Sequence, residues 1–169
     1  EEVLRCKGPV YVRLAKTKDP IVHQSKDVKF KMGKGIILRQ GNDVALIATG
    51  SMLHNAKILT DILAAKGVDA CLVSMHTIKP IDKELILKLV KKTRAIFTIE
   101  EHSLIGGLGS SVAEIIAESP FKDIYFERIA LPDLYADSVG SQKYLHQRYK
   151  LLPDQMSERI LKKIKNERR

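Results

Sequence analysis

The groups best suited to chemistry lie within residues 95–118, reading AIFTIEEHSLIGGLGSSVAEIIAE. Three polar side chains, Glu100, Glu101 and His102, stand at the end of the apolar run Ala95-Ile96-Phe97-Thr98-Ile99. A carboxylate beside an imidazole can fix the ring's tautomer and move its pKa into a working range for proton transfer. Neighbouring strand residues point to opposite faces, however, so at most two of the three can serve one site. The alternative is that they bond neighbouring loops or a partner subunit. Gly106, Gly107 and Gly109 follow, just ahead of a predicted helix. Free backbone amides at a helix start can receive an anion. GGxG is not the full dinucleotide fingerprint, and close packing of the strand–helix corner explains the same glycines. Ser110 and Ser111 are expected as helix caps, since no GxSxG elbow surrounds them. His76 and Lys79 follow another predicted strand and are expected at the same edge of the sheet, with Lys79-Pro80 as a turn. His23, His54 and His146 have no partner spacing and are expected as surface or satisfied polar groups.

The elements that would position these groups alternate in type. Val44–Thr49 is a continuous apolar run of the kind found in central parallel strands. Ser51 is placed to cap a helix that closes at Gly67, with Met52, Ala56, Leu59, Ile62 and Leu63 inward. Ala70–Met75 is the next strand, and Asp82 caps a helix through Lys92. Ile124–Ile129 is a further strand. Leu131 to Gly140 reads as a long loop, followed by a short helix from Ser141 to about Tyr149 and a last helix from Pro153. Upstream, Val10–Leu14 is β-branched and apolar and predicts a strand, and Val28–Gln40 predicts a hairpin turning through Gly33-Lys34-Gly35. Strand–helix alternation predicts an α/β fold: a doubly wound, mainly parallel (mixed) sheet with helices on both faces.

Composition narrows the function classes. The chain has 169 residues, 44% hydrophobic but only 5% aromatic, so its core must be aliphatic. No apolar run approaches the roughly 20 residues of a membrane span, and no signal-peptide pattern opens the chain. Two cysteines without metal-type spacing fit a reduced, cytoplasmic setting. The net charge of +9 raises nucleic acid as a partner. The surplus sits near the ends, around Lys26–Lys31 and Lys162–Arg169, with no nucleic-acid motif beside it, so a solvated surface is expected.

MHTIKPID (75–82) and EEHSLIGGLGSSVAE (100–114), with GKGIILRQGNDVALIATGS ahead of them, resemble the C-terminal domain of transketolases, most closely its split form. The likeness runs from about Gly8 to the last helix. It implies a domain of the transketolase C-terminal type over 26–169, with 1–25 as the last strand and linker of the pyrimidine-binding domain. It implies two-carbon ketol transfer between sugar phosphates in a full assembly that holds thiamine diphosphate and a divalent cation such as Mg2+. The partners would be pyrophosphate- and pyrimidine-binding domains or a subunit carrying them, in a homo-oligomer such as a dimer. The activating glutamate and the GDG metal motif are absent from this sequence, so no catalytic, cofactor or metal residue is expected in this chain, which alone would be inactive. At the end of Val10–Leu14 the family places a phosphate-binding arginine; Lys16 occupies that position, with Arg13 three residues earlier. Glu101, His102, Gly106, Gly107 and Gly109 would then form an interface or an anion site. Alternatives are the C-terminal domain of 1-deoxy-xylulose 5-phosphate synthase or of a 2-oxo acid dehydrogenase β-subunit, or a free-standing module binding an anion or nucleotide.

Overall fold

A computed structural model describes residues 2–15, 19–23, 28–121 and 123–166. Its centre is a five-stranded sheet in the order β1-β3-β2-β4-β5. The strands are β1 (Ile36–Arg39), β2 (Val44–Ala48), β3 (Ala70–Ser74), β4 (Ala95–Ser103) and β5 (Tyr125–Leu131). β2, β3, β4 and β5 run parallel, and β1 pairs antiparallel with β3 at one edge. A short 3-10 turn, Glu2–Arg5, opens the chain, and the helices are α1 (Met52–Ala65), α2 (Lys83–Lys92), α3 (Leu108–Glu118), α4 (Gln142–Arg148) and α5 (Pro153–Asn166).

The period of two along the strands builds two cores. Leu46, Ala48, Leu72, Phe97 and Ile99 face one way and pack on Ala56, Leu59 and Leu63 of α1 and on Met156, Ile160 and Ile164 of α5. Ala45, Ile47, Cys71, Val73 and Ile96 face the other way, against Ile86 and Leu89 of α2 and Leu108, Val112 and Ile115 of α3. Helices therefore cover both faces, as the alternation predicts, and β2 is buried along its whole length.

Two upstream strands do not form. Residues 9–15 carry no regular structure, and Tyr11 and Leu14 are exposed. β-propensity describes a half-buried pleated surface, and among the described residues Val10–Leu14 has no neighbouring strand on which to express it. The first arm of the expected hairpin is likewise irregular. Phe30 leaves any ladder to stand edge-on between the rings of His23 and His76, each centroid 5.1 Å away. Ile36–Arg39 finds its partner in β3, far along the chain.

Local capping signals fare better. The Asp82 side chain accepts from the Leu85 amide, capping α2, and its second oxygen accepts from Gly35 N at 3.0 Å. Ser141 caps α4 through the Tyr144 amide, and α5 begins at Pro153. Ser51 departs from expectation. It makes no side-chain cap on α1, because its hydroxyl is engaged across the sheet edge.

Candidate functional site

β4 runs past Ile99 to Ser103, so the charged tip belongs to the strand itself and its side chains diverge. Glu100 turns toward α3 and is only 2% exposed. Its two carboxylate oxygens accept from the amides of Leu108 and Gly109, each at 2.7 Å. These amides open α3, whose N-cap is Gly107. Charge-assisted bonds at a helix start satisfy donors the helix itself leaves open and meet the positive end of its dipole.

That carboxylate explains Gly107, and close neighbours or backbone conformation explain the other two glycines. A Cβ on Gly107 would lie 2.7 Å from the Glu100 carboxyl carbon. One on Gly109 would meet Arg128 Cγ at 2.7 Å and Thr98 Oγ1 at 2.8 Å. Gly106 adopts φ +79°, a left-handed conformation suited to glycine, and its amide donates to Ser110 Oγ at 3.0 Å. At this helix start the chain supplies an anion of its own, since the Leu108 and Gly109 amides donate to Glu100. The capping expected of Ser110 and Ser111 is corrected, since both lie inside α3 and the cap falls to Glu100.

Glu101 turns to the opposite face and gathers residues from two other elements, α1 and α4. Ser51 Oγ donates to its Oε2 at 2.6 Å and Gln142 Nε2 donates to the same oxygen at 2.8 Å. His146 Nε2 stands 3.4 Å from Oε1, and the ring is 7% exposed. Asn55 Nδ2 faces His146 Nδ1 at 3.4 Å and also the Leu151 carbonyl at 3.4 Å. An amide NH2 is a donor, so Nδ1 accepts, while Nε2 approaches Glu101 without completing a hydrogen bond. Burial alone raises the Glu101 pKa; the Ser51 and Gln142 hydrogen bonds together with His146 outweigh it and hold the carboxyl below its ordinary value.

His102 does not join them. It is exposed and its Nδ1 lies 3.0 Å from the Ser103 carbonyl. The carboxylate–imidazole pair expected at 101–102 is thus made by Glu101 with His146, and no spacing signal linked these two. His146 is correspondingly not a surface group. His76 sits at the end of β3 with Nδ1 2.9 Å from Thr77 Oγ1, and His23 Nε2 lies 3.3 Å from Ser74 Oγ. Burial lowers the pKa of both rings, and repulsion from His23 adds to the effect on His76. Arg13 lies in the exposed segment upstream, and Lys16 falls outside the described residues.

The Glu101 cluster ties β4, α1 and α4 together at the carboxyl edge of the sheet. It holds a carboxylate, an imidazole and a hydroxyl, with the carboxylate between the other two, and the arrangement fastens these elements to one another.

The family model "Transketolase, C-terminal domain" matches residues 33–156. A protein of Methanocaldococcus jannaschii named "Putative transketolase C-terminal section" is 39% identical over 167 residues, covering 98% of this chain and 51% of that protein. The "6-deoxy-6-sulfo-D-fructose transketolase subunit SqwH" of Clostridium sp. is 37% identical over 151 residues, 89% of this chain and 45% of that protein. A solved structure titled "Split gene transketolase, inactive beta4 tetramer" superposes with a TM-score of 0.85 at 36% identity, over 93% of this chain and 50% of that one. The chain spans about half the length of these relatives.

Proposed function

The chain belongs to the transketolase C-terminal domain family, and from that membership we propose that it is the assembly domain of a split, thiamine diphosphate-dependent transketolase. In the complete enzyme a two-carbon ketol unit would pass between sugar phosphates in a cytoplasmic setting. No helix among the described residues is long and apolar enough to cross a membrane.

The observation that carries the assembly role is the use made of the polar groups at the sheet's carboxyl edge. Glu100 closes the α3 corner, and Glu101 clamps α1 and α4, so both carboxylates are spent on architecture. The residues present do not fit the cofactor or its cation. Among the described residues no three His, Cys, Asp or Glu side chains gather as a metal would require, and the α3 amides that would suit a pyrophosphate are committed to Glu100. Thiamine diphosphate and Mg2+ would be held by pyrophosphate- and pyrimidine-binding domains supplied elsewhere in the assembly. Residues 1–25 would be the last strand and linker of the pyrimidine-binding domain and 26–169 the C-terminal domain. The bare apolar segment at Val10–Leu14 supports that division, because its exposed side chains suit a strand whose neighbours lie in another unit. Arg13 and Lys16 would face substrate phosphate from that strand. Self-association, as in the tetramer named for its structural relative, would accompany this role.

Ketol transfer from a ketose phosphate to an aldose phosphate tests the proposal, with thiamine diphosphate and Mg2+ present. The chain alone should give no turnover, and turnover should appear when pyrophosphate- and pyrimidine-binding portions are supplied with it. Turnover by this polypeptide alone, or failure of the portions to associate, overturns it.

A further inference from the structure

β5 is an edge strand, and along its open side runs a groove of about 580 Å3 between α3 and α5. Phe126, Glu127 and Arg128 form the floor, with Ser110 and Leu104 on one wall and Arg159 on the other. Glu127 is satisfied within the chain by the Tyr125 hydroxyl and the Arg159 guanidinium. Arg128 uses Nη1 on the Leu104 carbonyl at 2.7 Å, with Ser110 Oγ at 3.4 Å. Its Nε and Nη2 carry no hydrogen bond among the described residues. Two guanidiniums against one carboxylate leave the groove with a positive surplus and an open donor pair matched to a carboxylate.

The segment that leaves β5 has the opposite character. Residues 131–142, LPDLYADSVGSQ, contain two aspartates and no lysine or arginine in a chain of net charge +9. Tyr135 and Val139 are fully exposed and Leu134 is 75% exposed. This is a braced arm. Leu104 N donates to the Leu131 carbonyl at 2.8 Å, Gln142 is held by Glu101, and Arg148 grips Asp137 through Nε and Nη2. Tyr144 lies against Gly140, where a Cβ would come 3.0 Å from Cγ of the ring. Apolar side chains presented to water by so much framing, with exposed Asp133 beside them, form a surface shaped to be covered.

We propose that this arm docks in the α3–β5–α5 groove of a second copy, reciprocally across a two-fold axis, with Asp133 on Arg128 and with Leu134 and Tyr135 over Leu104 and Phe126. The arm begins where the groove ends, at Leu131 beside Leu104, so a two-fold beside β5 offers each arm the other groove. One patch then serves as donor and acceptor at once, as an isologous interface requires. Charge complementarity selects the register, and the apolar pair supplies the buried centre. This rests on the self-association proposed above and names the face that makes it.

Light scattering of the 169-residue chain across a concentration series tests it. The wild type should associate, and Arg128→Glu, Asp133→Arg and Tyr135→Ser should each raise the dissociation constant by about tenfold or more. Arg128→Glu combined with Asp133→Arg should recover most of the loss. Circular dichroism confirms that each variant is folded; the side chains of Asp133 and Tyr135 make no hydrogen bond among the described residues, so Asp133→Arg and Tyr135→Ser keep the test decisive if Arg128→Glu does not fold. Association unchanged in all variants overturns the face while leaving self-association standing. A wild type monomeric at every concentration overturns both. Variants that instead weaken only the capture of a pyrimidine-domain portion overturn the second copy as occupant.

Discussion

Replacing Glu100 with alanine isolates the strand–helix corner as an energetic unit. Two buried amides, Leu108 N and Gly109 N, would lose acceptors at 2.7 Å. A buried donor left unsatisfied costs about 1–3 kcal/mol, and the lost partner here is charged, so a total of about 3–5 kcal/mol is expected. Domains of this kind are stable by only about 5–15 kcal/mol, so the change removes a large share. At roughly 2–4 °C per kcal/mol for a chain of this size, Tm should fall by roughly 6–20 °C. Urea denaturation followed by circular dichroism supplies the free energy. Glu100→Gln should fall between wild type and alanine, since the carboxamide keeps one acceptor and turns a donor toward an amide. Gly107→Ala should act on the same unit, because its Cβ occupies the space of the carboxylate. The double variant Glu100→Ala/Gly107→Ala should therefore cost less than the two singles added, by about 1 kcal/mol or more. A loss below about 1 kcal/mol for Glu100→Ala would refute the reasoning, as would strict additivity, since either result means water serves these amides as well as the carboxylate does.

Two further outcomes concern acid. Glu101 is held below its ordinary value of 4.5, so its contribution to stability is present above that pH and is lost as pH falls through the lower folded value. Glu101→Gln should lower stability at neutral pH and flatten the acid limb of the stability curve; an unchanged limb contradicts the clamp. His23 and His76 both lie below 6.5, so the unfolded chain takes up protons first and stability declines as pH drops below that value. Imidazole titration by NMR should place both midpoints under 6.5, and Phe30→Ala, which opens the space between the rings, should move them upward. Midpoints at or above 6.5 in the wild type would contradict a half-buried neutral pair.

Apolar continuity and helical spacing were legible from neighbours in the chain, whereas the caps expected of Ser51, Ser110 and Ser111 were not. The runs at Val44–Ala48, Ala70–Ser74 and Ala95–Ile99 declare buried strands by apolar continuity, and the spacing of Leu59 and Leu63 or of Ile86 and Leu89 declares helices. Asp82 and Ser141 sit where caps must sit. Family membership was legible too, because MHTIKPID and EEHSLIGGLGSSVAE are contiguous. Partners brought from distant elements were not. Glu100 and Glu101 are adjacent and chemically identical, yet the pleat sends one to cap α3 and the other to meet Ser51, Gln142 and His146. Only the return of α4 over the edge of β4 decides that meeting. Val10–Leu14 and the expected hairpin arm at 28–32 failed as strands for the same reason: a helix closes its hydrogen bonds within itself, whereas a strand exists only if another part of the fold arrives to pair with it. The sequence thus determined the helices, the buried parallel strands, the aliphatic core and the family; the tertiary structure decided which exposed segments pair and which polar groups meet, because both depend on where distant segments are returned by the sheet.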